Sequence, residues 1–255
     1  MLPIVLLKSL KSTIRKNCVI ACSNGRTKPF GTLATNQCVD SHLIGDTICL
    51  PLYRYDENGN RIDNITDWGL TQFHTHYNDT TITKQDIFHY TYAVFHHPAY
   101  RTKYEINLKR EFPRLPFYVD FHKWATWGKA LMNLHLTYET AEFYGLTRNE
   151  IATKATPKVK LKADKTKGVI ILDENTQLTG VPAIAWDYKL GNRSALEWIL
   201  DQYKEKKPRD PTIREKFNTY KFADYKEQVI DLLQRVCTVS VRTIEIIQQM
   251  PEDCI

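Results

Sequence analysis

Trp124, Trp127, Leu131, Leu134 and Tyr138 recur at spacings of three and four. That is the period of one face of an α-helix, and it does not fit a strand, whose apolar residues alternate. A helix carrying rings of this size has to bury them, so the chain is expected to close around it. A stripe of this kind has a second use, as a platform on which nucleic-acid bases stack. Burial in a core asks for less.

The remaining segments supply what closes that core. Residues 17–55 read as short strands, CVIAC, TLAT, HLIG and TICLPLY, with SNGRTKPFG as a loop. The run Asp56-Glu57-Asn58-Gly59-Asn60 is a turn centred on Asn-Gly, and a polar connection follows to about Asp67. Thr83 stands three residues before Asp86, a near capping box that predicts a helix through Phe95. Pro98 interrupts it, and a second helix is expected over 100–111, ahead of Pro113 and Pro116. The strict alternation of KVKLKA places Lys158, Lys160 and Lys162 on one strand face and Val159, Leu161 and Ala163 on the other. Residues 164–168 then turn the chain into the apolar strand VIIL. Asn192 and Ser194 can cap a helix over 195–206, with Leu196, Ile199, Leu200 and Tyr203 inward. Val229, Leu232, Leu233, Val236, Ile244 and Ile247 keep near-helical spacing through the last segment.

These elements define an α+β fold in which a β-rich part with projecting loops, 17–55 and 157–187, packs on a helical support, 84–145 and 194–250. The expected organisation is one continuous unit: a β-rich part at 1–66, the support at 67–150, a basic hairpin region at 151–190 and a helical part at 191–255. A hydrophobic share of 42% is enough for a core, and the apolar runs are too short for a bilayer span. The apolar LPIVLL precedes Lys8, Lys11, Arg15 and Lys16, the reverse of a signal peptide's order, so a cytoplasmic location is expected. The six cysteines form no C-x-x-C pair, which argues against a zinc module or disulfide framework.

Charge is concentrated. Residues 153–168 hold six lysines against Asp164, so this stretch carries +5 of the chain's net +6. A focused cationic strand suits a polyanion, because each neutralised phosphate releases counterions. It equally suits an edge strand protected against aggregation by its lysines.

Several chemistries are excluded. No two of the ten glycines are separated by one residue or stand five apart, which removes both the G-x-G nucleotide loop and the P-loop. Neither a G-x-S-x-G elbow nor an H-E-x-x-H helix occurs, and there is no Pro-Pro of the kind an adenine methyltransferase uses to hold a flipped base. His74 with His76, on one face if that segment is a strand, and His96 with His97 at a helix end are incomplete as metal sites. Asp201, Glu205 and Lys207 loosely imitate the acid, acid-x-lysine set of metal-dependent nucleases, but on a predicted helix, where the groups align poorly.

Longer motifs point to a family. The stretch from Asp67 to Glu139, containing WGLTQFHTHYND, DIFHYTYAVFHHPAYRTKYEINLKREFPRLPF and WATWGKALMNLHLTYE, together with CLPLYRYDENGN and AWDYKLGNRSALEWILDQYKEKKPRDPTIREKF, resembles the C-terminal specificity region of Type ISP restriction-modification enzymes. The resemblance covers residues 17–248 and begins after the lead LPIVLLKSLKSTIRK. It implies a non-catalytic target-recognition domain of a bacterial phage-defence enzyme, stand-alone or truncated, that binds double-stranded DNA through the major groove. Adenine methyltransferase, translocase and nuclease parts would lie elsewhere, and S-adenosylmethionine, ATP and magnesium would be theirs, leaving this chain without a cofactor.

DNA recognition needs cations for phosphates and Arg, Lys, Asn or Gln at base edges. The polar loops of the β part offer Arg26, Lys28, Asn36, Gln37, Arg54, Asn58 and Arg61 for bases. Lys158, Lys160, Lys162, Arg193, Lys206 and Arg209 are the candidates for phosphates. Two other readings stay open: a module that docks on a methyltransferase or translocase subunit with little DNA affinity, and a small divergent nuclease built around Asp201 and Glu205.

Overall fold

The computed structural model describes residues 17–23, 29–44, 46–152, 157–206, 209–216 and 220–252. The chain forms two compact units, Met1–Leu136 with Met250–Ile255, and Thr137–Gln249. Each has its own antiparallel sheets and its own helices, which makes the fold α+β.

In the first unit, β1 (Val19–Ser23) lies between β2 (Thr32–Thr35) and β3 (Thr47–Pro51). Ile20, Ala21 and Cys22 are fully buried, so this central strand reads as an unbroken apolar run instead of an alternating one. The expected strand HLIG is a turn over its described residues. Asp40 accepts the His42 amide at 2.7 Å through its carboxylate and the Leu43 amide at 3.1 Å through its carbonyl, capturing donors that a ladder would need. The expected polar connection after Asn60 instead contains a strand: β4 (Tyr53–Tyr55) and β5 (Arg61–Asp63) form a two-stranded ribbon.

Helix α1 (Asp67–Tyr77) starts at Thr66, whose hydroxyl accepts the Gly69 amide, and stops at Asn78 in the left-handed region at φ 49°. The capping box at α2 (Lys84–His96) is complete: Thr83 Oγ1 accepts from Asp86 N at 3.1 Å, and Asp86 Oδ2 accepts from Thr83 N at 3.0 Å. Every residue from Ile87 to His96 is buried, so α2 has no solvent face along that length. The single helix expected over 100–111 is two pieces, α3 (Pro98–Lys103) and α4 (Glu105–Leu108), parted at the non-helical Tyr104. Helix α5 (Phe121–Leu136) carries the aromatic stripe inward: Trp124, Trp127 and Leu131 are 1%, 7% and 0% exposed. These three residues are core and not a stacking platform, whereas Leu134 is half-buried and Tyr138, beyond the helix end, is 40% exposed. Burying side chains of this kind contributes about 1.5–3 kcal/mol each.

In the second unit, β6 (Thr147–Glu150), β7 (Val159–Asp164), β8 (Val169–Asp173) and β9 (Thr176–Thr179) form a sheet in the order β6-β9-β8-β7. A small β10 (Lys189–Leu190) and β11 (Arg193–Ser194) hairpin leads into α6 (Ala195–Gln202), and α7 (Pro211–Lys216) and α8 (Lys226–Ile247) follow. Leu161, Ile170, Leu172 and Leu178 pack in one cluster with Leu196 of α6 and Val229, Leu233 and Cys237 of α8. Ser194 and Glu197 form a second capping box. Helix α6 stops at Gln202, four residues short of the expected end, and Glu205 beyond it accepts the Phe222 amide at 3.0 Å.

The alternation of KVKLKA does not run unbroken. Val159 pairs with Asp173 but Lys162 pairs with Ile171, so Lys160 and Leu161 together oppose one residue, a β-bulge. Leu161 takes the strain, sitting in the left-handed region at φ 41° with its side chain 1% exposed. Burial of that leucine in the core holds the bulge in place.

Candidate nucleic-acid interface

The β4–β5 ribbon is built by its turn. Asp56 accepts from Asn60 N at 2.7 Å and from Asn60 Nδ2 at 2.8 Å, and its carbonyl accepts from Gly59 N at 2.9 Å. These bonds, led by the Asn60 side chain, hold the Asp56 carboxyl below its ordinary range. Gly59 sits at φ 86°, which the turn requires and a side chain would oppose. Asn58 is exposed at the tip.

Register decides where the arginines point. Arg54 pairs with Ile62, while Tyr53 pairs with Asp63 and Tyr55 with Arg61, so Arg54 and Arg61 project from opposite faces of the ribbon. The Arg61 guanidinium lies 4.3 Å from the centre of the Tyr53 ring. Arg54 is exposed and has no partner among the described residues. At the ribbon's base, Lys84 Nζ bridges Asp63 at 3.4 Å and Asp67 at 2.6 Å, tying β5 to the starts of α1 and α2. Asn36 and Gln37 follow β2, both exposed, with Gln37 Nε2 donating to Asn36 Oδ1 at 2.9 Å. Arg26 and Lys28 lie outside the described residues.

In the second unit the cations divide into two groups. Arg148 makes a forked pair with Glu227 at 2.7 and 2.9 Å, Lys226 joins Asp173 at 3.0 Å and Glu150 at 3.1 Å, and Lys165 joins Glu197 at 2.8 Å. Lys158, Lys160 and Lys162 are exposed and face no carboxylate among the described residues. The bulge therefore breaks the one-face pattern without taking any of the three from solvent. Arg193 belongs with the first group: it pairs with Asp201 at 2.7 Å and lies 5.7 Å from the Trp198 ring centre. Lys206 and Arg209 are exposed.

The other chemistries are placed as well. Asp201 is shared by Lys204 and Arg193, whose hydrogen bonds keep its carboxyl below the usual range, and Glu205 is spent on the Phe222 amide. Lys207 lies outside the described residues. His74 and His76 are on α1, not on a strand; His74 Nε2 meets the Ile82 carbonyl at 2.8 Å and His76 stacks on Phe117. His96, His97 and His135 are buried, with His96 Nδ1 on the Tyr92 carbonyl at 2.8 Å and His135 Nδ1 on the Tyr92 hydroxyl at 2.6 Å. No group of three or more metal-binding side chains occurs among the described residues. Nor is any described helix long and apolar enough to cross a membrane.

Two residues escaped the sequence reading. Tyr53 is the shelf beneath Arg61, signalled only by the alternation of Tyr-Arg-Tyr. Trp68 is 75% exposed in the first turn of α1, two residues after the capping Thr66.

The sequence matches the Type ISP C-terminal specificity domain over residues 7–232, and the chain belongs to that family. The match starts earlier and ends earlier than the motifs alone delimit. Similar solved structures include the following three. A DrdV–DNA complex is 52% identical with a TM-score of 0.90, covering 94% of this chain and 25% of that one. A nuclease-deletion mutant of the Type ISP restriction-modification enzyme LlaGI, in complex with a DNA substrate mimic, is 30% identical with a TM-score of 0.70, covering 93% and 21%. The ATP-dependent Type ISP enzyme LlaBIII bound to DNA is 26% identical with a TM-score of 0.72, covering 94% and 16%. This chain thus spans a quarter or less of the length of these relatives. No curated protein matches it.

Proposed function

We propose that this chain reads a short sequence in double-stranded DNA and directs an adenine methyltransferase and a translocase that lie elsewhere in a Type ISP restriction-modification system. One observation carries the reading: the chain belongs to a specificity-domain family, and the three solved structures named above, at 52%, 30% and 26% identity, contain DNA or its mimic. The geometry supports it twice. A two-stranded ribbon tipped by Asn58 and carrying Arg54 and Arg61 has the size of element that a major groove admits. Lys160 and Lys162 of β7 are exposed and make no ion pair among the described residues, as contact with phosphates requires.

The chain supplies address and no chemistry of its own. S-adenosylmethionine, ATP and magnesium serve the catalytic parts of the larger enzyme, and the carboxylates of the nuclease-like set are already engaged within the fold.

Fluorescence anisotropy with a randomised duplex pool at two salt concentrations tests the reading. Enrichment of one motif, with binding that weakens as salt rises, is expected. Salt-sensitive binding with no enrichment would reduce the chain to a general polyanion binder and overturn sequence reading.

A second reading, docking on a methyltransferase or translocase subunit, draws on Ile106, Phe112 and Val119, which are 65%, 62% and 86% exposed. It requires that the chain have little affinity for duplex DNA even at low salt.

A further inference from the structure

We infer that the outer face of the β6-β9-β8-β7 sheet is a base-reading surface, with Asn149 and Gln177 contacting base edges and Lys162 the flanking phosphate. The inference rests on the DNA-binding reading above and assigns it a second surface.

The register sets these side chains in line. Asn149 pairs with Gln177, Gln177 with Ile171, and Ile171 with Lys162, so the four lie in one row across all four strands. Thr147, Thr179, Val169 and Asp164 form the next row on the same face. Ile170, Leu172 and Leu178 point the other way, into the core, which fixes these rows as the outer surface. Asn149, Gln177, Thr147 and Lys162 are exposed, and Thr179 and Ile171 are half-buried between them.

The chemistry of the face is selective. Asn149 Nδ2 donates to Thr179 Oγ1 at 3.0 Å, which orients the amide and leaves its carbonyl and second N–H outward. The Gln177 side chain has no hydrogen-bond partner among the described residues. Asn and Gln offer the paired donor and acceptor that match the major-groove edge of adenine. The nearby carboxylates are engaged: Glu150 and Asp173 are held by Lys226 at 3.1 and 3.0 Å, and Asp164, which lies on the face, takes the Lys167 amide at 3.1 Å and its ammonium at 3.9 Å.

The dimensions suit a duplex. Strands lie about 4.8 Å apart, so the two amides are neighbours and Lys162 stands about 14 Å from Asn149. The major groove is about 12 Å wide. The edge pair β6–β9 has the width of the two-stranded ribbon that the groove admits, so amides on this edge meet base edges while a lysine on β7, two strands further across, meets the phosphates that border the groove.

The test uses the full chain with Asn149→Ala/Gln177→Ala and, separately, Lys162→Ala, in the randomised-pool selection and in anisotropy at two salt concentrations. The double variant should lose discrimination at one or two base pairs by about 5- to 150-fold each, with its salt dependence unchanged. Lys162→Ala should weaken every sequence alike and lower the salt slope by about 0.9. All three side chains are exposed, so melting temperatures should stay with the parent's. A double variant that enriches the parent's motif with the parent's ratios overturns this inference alone. A parent that enriches no motif overturns it together with the reading on which it rests.

Discussion

A β-carbon on Gly128 would stand 1.8 Å from the carbonyl oxygen of His89. The glycine lies inside α5 and the carbonyl inside α2, so the two helices meet backbone to backbone where no side chain fits. Glycine costs a helix interior about 1 kcal/mol against alanine, yet here the exchange has the opposite sign. Gly128→Ala should destabilise the protein by about 3 kcal/mol or more, because the carbonyl belongs to a buried helix that cannot give way. Chemical denaturation checks this, and a variant as stable as the parent would show that the helices separate freely.

Burial in the first unit sets a pH dependence. The His135 pKa is pushed down to about 3, and that of His96 well below its ordinary value, in both cases chiefly by loss of solvent. Below about pH 6.5 the unfolded chain gains protons that these rings refuse, so their contribution is full above that pH and is lost as pH falls toward 3. The His135 ring should cost about 1.4 kcal/mol of stability per pH unit across that window, and His96 acts in the same direction. Melting at pH 7 and pH 5 should show a smaller drop for His135→Gln than for the parent; equal drops would contradict the assignment.

Replacing Lys158, Lys160 and Lys162 together by alanine should weaken binding to all duplexes alike. The slope of log affinity against log salt should fall by about 0.9 for each phosphate that is no longer neutralised. Lost motif preference at an unchanged slope would place these lysines at bases instead.

Arg54→Ala should act in the opposite way. Arg54 is exposed and unpartnered among the described residues, so folding should be unaffected while discrimination at one base pair falls by about 1–3 kcal/mol. Competition binding between the preferred motif and its single-base variants measures this. A uniform loss across all variants would mean that Arg54 touches only the backbone.

Glu205→Ala removes the acceptor of the Phe222 amide and should cost about 1 kcal/mol of stability. Neither the parent nor this variant should cleave plasmid DNA with magnesium. Cleavage by the parent that disappears in the variant would revive the nuclease reading.

What the sequence disclosed, it disclosed through local chemistry. The Thr83–Asp86 box, the Ser194 cap, the Asn-Gly turn at 58–59 and the Trp124–Leu131 stripe act within a few residues of themselves, and each appears where its pattern places it. What it hid depends on partners far along the chain. The bulge at Leu161 exists because a distant core accepts that side chain, and no alternation of lysines reveals it. The HLIG segment has the composition of a strand, but Asp40 takes its amides first. Among candidate DNA-reading residues, the sequence supplied Arg54, Asn58 and Arg61 but could not show that the two arginines face apart, because that follows from the pairing of β4 with β5.

The bond from His97 Nε2 to the Pro251 carbonyl, at 2.9 Å, joins residues 154 positions apart within the first unit. On a ribosome, then, the earlier-made body stays unfinished until the later one has been synthesised in full. A shortened gene product ending at Leu136 would lack its own closing segment, so any attempt to dissect the protein should excise the intervening 137–249 and rejoin the flanks, not cut once.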